Sequence, residues 1–229
     1  MALLVNIEGI DGSGKGTQAA RLQTRLQSLG KTTGLVSFPR YQATHFGRKV
    51  ADFLNGRFGR LNEVNPFLAA LLYAGDRFES KAWLAESIAT HDVVILDRYV
   101  PSNMAHQASK LEGVERTELI AWIEQVEFGV YGLPQPDLCV LLDIPPVVAQ
   151  QLIARKAPRD YTEQAADLQE SDATHLARTR EVYLELARAK PAWRCVSCVE
   201  GEKLRTADDI EAEIWGLVKP LLRRPTNIS

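Results

Sequence analysis

Short apolar runs alternate with longer amphipathic stretches along this chain of 229 residues. The runs predict five strands, near residues 3–7, 33–38, 92–97, 138–143 and 193–198. Two of these runs are apolar throughout, as expected of strands that are buried on both faces of a sheet. Helical patterns lie between the strands. This alternation predicts a parallel five-stranded sheet covered by helices on both faces, which is a three-layer α/β/α fold.

Composition limits the organisation of the chain and its partners. With 45% hydrophobic and 24% charged residues, residues 1–229 are enough for one substantial core, and we expect a single domain. The net charge of −2 provides no general attraction for a nucleic acid. We find no apolar run of about 18 residues and no secretory leader, so we expect a cytoplasmic protein without a membrane span. We interpret Cys195 and Cys198 as strand residues without a metal or redox role.

A glycine-rich segment follows the first predicted strand directly. Residues 9–15 fit the pattern G-x-x-x-x-G-K, and an amphipathic helix pattern follows. In such a loop the backbone N–H groups and the start of the helix face phosphate oxygens, and the lysine reaches the β- and γ-phosphates. The segment therefore predicts a binding site for the triphosphate of a nucleotide, which the family resemblance given below implies is ATP. Its predicted members are Gly9, Ile10, Asp11, Gly12, Ser13, Gly14, Lys15, Gly16 and Thr17.

Charged residues also end the third predicted strand, at Asp97 and Arg98. Asp97 is a candidate to hold Mg²⁺ through water or to orient Lys15, and the guanidinium of Arg98 is suited to clamp a phosphate. A salt-bridged pair that simply closes the strand is the alternative interpretation.

Four segments in a fixed order resemble the thymidylate kinase family, which belongs to the nucleoside monophosphate kinase group of P-loop proteins. The resemblance extends from about residue 4 to about residue 222. Residues 97–105 are similar to the family's Asp-Arg-Tyr signature, and residues 38–41 to its Phe-Pro segment. Residues 71–77 resemble its helix with an aromatic residue and an Asp-Arg pair. Residues 155–170 resemble its lid, which we place at about residues 154–166.

The resemblance implies an acceptor site for dTMP. Tyr73 would stack on the thymine ring, Arg77 would reach the base edge or the acceptor phosphate, and Asp11 would accept a hydrogen bond from the 3′-OH. Arg40 and Arg98 would hold the phosphate, Asn103 and Gln107 would offer amides to the base, and Tyr41 would press against the 2′ position of the sugar. The full predicted acceptor set is Asp11, Phe38, Arg40, Tyr41, Tyr73, Arg77, Arg98, Ser102, Asn103, His106, Gln107 and Tyr161.

The phosphate loop itself carries no arginine, because its variable positions are Ile10, Asp11, Gly12 and Ser13. Phosphoryl transfer needs positive charge on the migrating group. The resemblance to the bacterial-type subclass implies that the lid supplies it, through Arg155 and Arg159, with Lys156 nearby. The predicted catalytic residues are Asp11, Lys15, Arg98, Arg155 and Arg159.

Two positions depart from the expected patterns. Gly16 stands where many P-loops place a Mg²⁺-binding hydroxyl, so we expect Mg²⁺ to be held by phosphates and by Asp97 and Asp11 through water. His106 stands where the family signature has Tyr or Phe, which bears on the choice of base.

These patterns predict Mg²⁺-dependent transfer of the γ-phosphate of ATP to dTMP, giving dTDP and ADP. A kinase for another nucleoside monophosphate or a deoxynucleoside remains the alternative on the same fold, and a non-catalytic nucleotide-binding module is a further one. By resemblance we expect a homodimer.

Overall fold

The computed structural model describes residues 2–154, 168–169 and 172–223. Its main sheet has five parallel strands in the order β2-β3-β1-β4-β5, which confirms the predicted fold class. The strands are β1 (Leu3–Glu8), β2 (Thr33–Ser37), β3 (Val93–Asp97), β4 (Leu138–Asp143) and β5 (Trp193–Ser197). A short antiparallel hairpin follows, made of β6 (Val199–Glu200) and β7 (Lys203–Leu204).

The helices form the two outer layers. They are α1 (Lys15–Ser28), α2 (His45–Leu54), α3 (Pro66–Glu79), α4 (Lys81–Thr90), α5 (Val100–Ala108), α6 (Gly113–Glu124), α7 (Pro146–Ile153), α8 (Ala173–Ala189) and α9 (Ala207–Val218). Helices α1 and α9 pack against each other and against the sheet, whereas α8 packs against α5, β4 and β5. A π-helical turn, Gln125–Val130, continues α6.

The strand order places the site. β1 lies at the centre, between β3 on one side and β4 on the other, and the chain changes sides of β1 between β3 and β4. Ligands of such open sheets bind at the carboxyl ends of the strands, where the strand order reverses. Here that position belongs to Glu8 and the phosphate loop.

Most buried apolar side chains form one cluster around the sheet, and a smaller cluster lies between α2 and α3. The smaller one contains Val50, Phe53, Leu54, Leu61, Ala69 and Tyr73. This cluster packs Tyr73 of α3 against α2.

Cys198 differs from the prediction, because β5 ends at Ser197 and Cys198 lies in the bend before β6. Its thiol is buried 3.8 Å from the carbonyl oxygen of Ser13, so the bend lies against the phosphate loop. Of the predicted lid, only Ala154 belongs to the described residues. Within the described part of the chain, none of the helices combines the length and the apolar character that a bilayer crossing requires.

Candidate active site

The phosphate loop connects Glu8 of β1 to Lys15 of α1. Gly9, Gly12 and Gly14 have φ angles of 146°, 84° and 87°, values that favour glycine. At Gly12 a Cβ atom would also lie 2.4 Å from the carbonyl oxygen of Ala149, so any side chain there would collide with α7. The loop is thereby shaped by its backbone. Because α1 begins at Lys15, its N-terminal N–H groups and partial positive charge face the same space.

Two adjoining cavities open beside this loop. The larger one has a volume of about 430 Å³, and it is lined by Asp11, Gly14, Lys15, Gly16, Thr17, Ser37, Phe38, Pro39, Tyr41, Asp97 and Arg98. The smaller one has a volume of about 40 Å³, and it is lined by Asp11, Phe38, Pro39, Tyr41, Leu54, Tyr73, Arg77, Arg98, Ser102, His106, Gln107 and Gln169. Five residues, Asp11, Phe38, Pro39, Tyr41 and Arg98, line both. The cavities therefore adjoin, and together they form the two halves of one cleft.

The larger cavity suits a Mg²⁺ ion that is held mainly by phosphates and water. Asp97 and Asp11 contribute carboxylates to its wall, and Mg²⁺ typically takes one or two carboxylates beside waters and phosphate oxygens. A Cβ atom at Gly16 would lie 3.1 Å from Asp97 Oδ2, so the glycine leaves room around that carboxylate. No group of three or more potential metal-ligating side chains occurs in residues 2–154, 168–169 and 172–223. The donor set fits the water-mediated arrangement.

Arg98 stands between the two cavities in a strained backbone conformation. Its φ of 68° is positive, which is unusual for a residue with a side chain and costs about 1–3 kcal/mol. Its guanidinium donates to Asp11 Oδ1 at 2.6 Å and to Ser102 Oγ at 3.1 Å. Burial alone would lower the pKa of Arg98, but Asp11 together with Tyr183, Glu8 and Asp97 outweighs this, and the pKa lies well above its usual value. A cation is therefore held where the cavities meet.

Glu8 holds the strands and helices around Arg98 together, a role that the sequence analysis missed. Its carboxylate is fully buried and accepts from the backbone N–H of Tyr99 at 2.8 Å. It also accepts from Ser102 Oγ at 2.6 Å and from the hydroxyl of Tyr183 at 2.8 Å. A buried carboxylate needs such donors. The only signal in the sequence is a polar residue that ends an apolar strand.

The side chain of Arg77 is almost wholly buried and pairs with Glu127 of the π-helical turn. Its Nε donates to Glu127 Oε2 and its Nη2 to Glu127 Oε1 at 2.7 Å. Burial would lower the pKa of Arg77, but the charge and hydrogen bonds of Glu127, together with Asp76 and Tyr99, keep it above its usual value. The sequence analysis missed Glu127, because its pairing joins positions that lie 50 residues apart.

Two buried amides have their orientations set by charged neighbours. Asn103 lies between Glu127 Oε1 and the carbonyl oxygen of Ala70, at 2.9 and 3.0 Å, and both of these atoms only accept hydrogen bonds. Asn103 must turn its NH₂ towards them, which leaves Oδ1 without a partner. Lys110 Nζ donates to Gln107 Oε1 at 2.8 Å, and Gln107 Nε2 is left without a partner. Helix α5 thus retains one buried acceptor, Asn103 Oδ1, and one buried donor, Gln107 Nε2, that have no hydrogen-bond partner.

Tyr73 lines the smaller cavity and packs edge-on against Phe53, with ring centroids 6.4 Å apart. Gln169 Nε2 lies 3.4 Å from its hydroxyl. Phe38, Tyr41, Ser102 and His106 line the cleft as well. The structure therefore brings most of the predicted acceptor residues to one cavity.

Arg40 lies apart from this set, contrary to the role expected for it. Its guanidinium stacks over the ring of Trp83 at 4.1 Å and reaches Ser80 Oγ at 3.3 Å. Its backbone N–H donates to Asp76 Oδ2 at 3.0 Å. Arg40 is not among the residues that line either described cavity. Arg155, Arg159 and Tyr161, together with Lys156, lie outside the described residues.

Comparison with known proteins agrees with this geometry. The family model for thymidylate kinase matches residues 7–210. A thymidylate kinase of Mycobacterium tuberculosis is 36% identical over 185 residues, which make up 81% of this chain and 86% of that protein. One of Deinococcus radiodurans is 32% identical over 217 residues, 94% of this chain and 96% of that protein.

Among solved structures, the thymidylate kinase from Candida albicans shares the fold, with a TM-score of 0.72 at 24% identity, over 96% of this chain and 92% of that one. The match of the family model over most of the sequence, joined to relatives above 30% identity, places the chain in a family. The chain belongs to the thymidylate kinase family of ATP-dependent nucleoside monophosphate kinases.

Proposed function

We propose that this chain transfers the γ-phosphate of ATP to dTMP, giving dTDP and ADP. The observation that carries the proposal is the pair of adjoining cavities, in which the wall beside the phosphate loop and the wall beside Tyr73 share Arg98 and Asp11. A protein that only bound ATP would have no use for the second cavity.

On the donor side, the backbone N–H groups of the phosphate loop and the ammonium of Lys15 would hold the β- and γ-phosphates. Lys15 Nζ is already anchored to the carbonyl oxygen of Ile10 at 2.9 Å, so it is positioned before ATP arrives. Mg²⁺ would neutralise phosphate charge during transfer. Asp97 and Asp11 would hold its water ligands, and Gly16 leaves them space.

On the acceptor side, Arg98 would clamp the 5′-phosphate and Tyr73 would stack on the base. Among the predicted acceptor residues, Asn103 Oδ1 and Gln107 Nε2 are buried groups without partners, and a ligand that reached and satisfied both would remove a penalty of about 1–3 kcal/mol for each. Their complement is a ring edge with an N–H next to a carbonyl oxygen, as in thymine. Cytosine offers the reverse pattern, so it would leave both groups unsatisfied.

The lid proposal concerns Arg155 and Arg159. The described phosphate loop contains no arginine, so the positive charge on the migrating phosphoryl group would come from these two residues. Replacing Arg159 by Ala should lower kcat far more than it weakens ATP binding, because the contact is made mainly in the transition state. Equal losses in kcat and in ATP affinity would remove Arg159 from the catalytic set.

We also infer a cytoplasmic homodimer. Helix α3 exposes Leu68, Leu71 and Phe78, which recur at helical spacing on the side of the helix away from Tyr73. An apolar stripe of this kind typically marks a contact with another chain. Sedimentation of the protein, beside a Leu71→Glu variant, tests whether this stripe is the dimer contact.

A coupled assay of ADP release with Mg-ATP tests the main proposal. We expect dTMP to give the highest kcat/KM among dTMP, dUMP, dCMP, dAMP and dGMP. A tenfold preference for another acceptor would favour the alternative, which Gly16 and His106 suggest, of a kinase for a different monophosphate. Binding of ATP and dTMP without any dTDP would instead indicate a non-catalytic module.

A further inference from the structure

A series of hydrogen bonds runs from Arg98 into the protein behind the smaller cavity. Arg98 Nη1 lies 3.2 Å from His106 Nε2, and His106 Nδ1 lies 3.3 Å from His175 Nε2. His175 Nδ1 lies 3.3 Å from Ser109 Oγ, which donates to the carbonyl oxygen of His106 at 2.9 Å. We call these four residues the histidine relay. His175 belongs to α8 and lines neither described cavity.

Arg98, at one end of the relay, determines which ring nitrogen of each histidine carries the proton. A guanidinium can only donate, so His106 Nε2 must accept and the proton of His106 must sit on Nδ1. His106 Nδ1 then donates to His175 Nε2, which places the proton of His175 on its own Nδ1. That proton goes to Ser109 Oγ. One assignment satisfies every bond, and in it both imidazoles are neutral.

The surroundings of both rings favour this neutral state. Their exposed fractions are 4% for His106 and 5% for His175. Burial, then the charge of Arg98 and the proximity of His175, lowers the pKa of His106, with Lys15 adding to this and Asp11 opposing it. Tyr183 packs edge-on against the ring of His106, with ring centroids 6.2 Å apart.

His175 is surrounded in a similar way. Burial and then Lys110 lower its pKa to about 4, against the opposing charges of Asp172 and Asp11. The hydroxyl of Thr179 also lies beside the ring, 3.4 Å from His175 Nε2 and 3.2 Å from Ser109 Oγ, and it can donate to either of these acceptors. A proton added to either imidazole would put two donors face to face within the relay.

We propose that His175 is a positioning residue for the acceptor phosphate, because through His106 it holds the guanidinium of Arg98 in the orientation that faces the cleft. The neutral imidazole of His106 orients the guanidinium without reducing its positive charge. The carboxylate of Asp11, by contrast, partly neutralises that charge. The phosphate of the acceptor then meets a cation that is already oriented. The positioning role rests on the proposed function, in which Arg98 binds that phosphate.

Imidazole ¹H–¹⁵N spectra of the full chain test the relay without relying on activity. We expect His106 and His175 to be neutral and protonated on Nδ1 at both pH 7.5 and pH 5.5, with assignments from the His106→Gln and His175→Gln variants. Protonation on Nε2, or a charged ring at pH 5.5, in either residue would overturn the relay.

Kinetics test the positioning role. His175→Leu removes the acceptor for His106, and we expect the KM for dTMP to rise about tenfold or more while the KM for ATP stays within about twofold. His175→Gln, whose amide oxygen can accept from His106, should restore the KM for dTMP to within about threefold. His91→Leu, at the end of α4, is the matched control and should change neither KM.

Ser109→Ala is a milder variant for use if His175→Leu does not fold, and it should raise the KM for dTMP in the same direction. Equal changes in both KM values, or no change, would overturn the positioning role. An active wild-type enzyme with the wrong tautomers would overturn this inference alone. A protein that forms no dTDP would overturn the proposed function and the positioning role together, whatever the spectra show.

Discussion

The two halves of the cleft are built in different ways. The donor half is shaped by backbone: Gly9, Gly12 and Gly14 take positive φ angles, and Lys15 is anchored to a carbonyl oxygen. The acceptor half is shaped by buried side chains from distant parts of the chain, among them Glu8 and Glu127. Phosphates are alike in every nucleotide and suit a backbone site, whereas a base must be told apart by oriented side chains. Each prediction below changes one half and leaves the other as a reference.

The largest expected effect is on stability, from the acceptor half. Glu127→Gln leaves the buried guanidinium of Arg77 without its charge partner, so we expect the free energy of unfolding to fall by about 3–5 kcal/mol. Urea denaturation measures this. The control is Glu124→Gln. Glu124 pairs with Lys190 at 2.5 Å, and both side chains are partly exposed, so this variant should lower the free energy of unfolding by less than about 1 kcal/mol. Equal losses in the two variants would contradict the account.

The next effect is on catalysis, from the donor half. Lys15→Met removes a cation from the β- and γ-phosphates, and kcat should fall by about 10²- to 10³-fold for every acceptor tested. The ranking of acceptors should not change, because the acceptor half is intact. Lys31→Met, at the start of the loop before β2, is the control. A changed ranking would mean that the halves are not separable.

The third effect is a pH dependence of stability. His175 has a folded-state pKa of about 4 against a usual value of 6.5, so it is neutral when folded and protonation favours the unfolded chain. The stability that comes from keeping His175 neutral is fully present above pH 6.5 and is lost as the pH falls from 6.5 to 4. At pH 5 the loss in the free energy of unfolding is about 2 kcal/mol. The wild type should therefore lose more stability than His175→Gln between pH 7.5 and pH 5. Parallel losses would show that His175 is not buried in the neutral form.

The smallest effect concerns the ring of Tyr73. Tyr73→Phe keeps the stacking face and removes only the hydroxyl near Gln169, so the Kd for dTMP should change by less than about threefold. Tyr73→Leu removes the aromatic face and should weaken dTMP binding by about 1–3 kcal/mol. Titration calorimetry measures both. A larger loss for Tyr73→Phe than for Tyr73→Leu would mean that the hydroxyl, and not the ring, contacts the base.

The sequence predicted the sheet and the glycine-shaped loop after β1 well, because both depend on local signals. Continuous apolar runs mark β3 and β4, and the glycines of the loop sit where positive φ angles are needed. These features are properties of neighbouring residues.

The acceptor half was predicted less completely, because its network joins distant positions. Tyr73 and His106 were found by resemblance, but nothing near Arg77 in the sequence indicates Glu127, and nothing near His106 indicates His175, which follows 69 residues later. Arg40 was assigned to the phosphate from its motif alone. Trp83 and Asp76, which hold it elsewhere, belong to other segments.

The central claim is that the two halves form one continuous cleft for one phosphoryl transfer. Adenosine and thymidine joined 5′ to 5′ through five phosphates would occupy both halves at once, and its inhibition pattern tests the claim directly. We predict one molecule bound per chain, with inhibition competitive against ATP and also competitive against dTMP. Competition with only one of the two substrates, or two molecules bound per chain, would contradict the account.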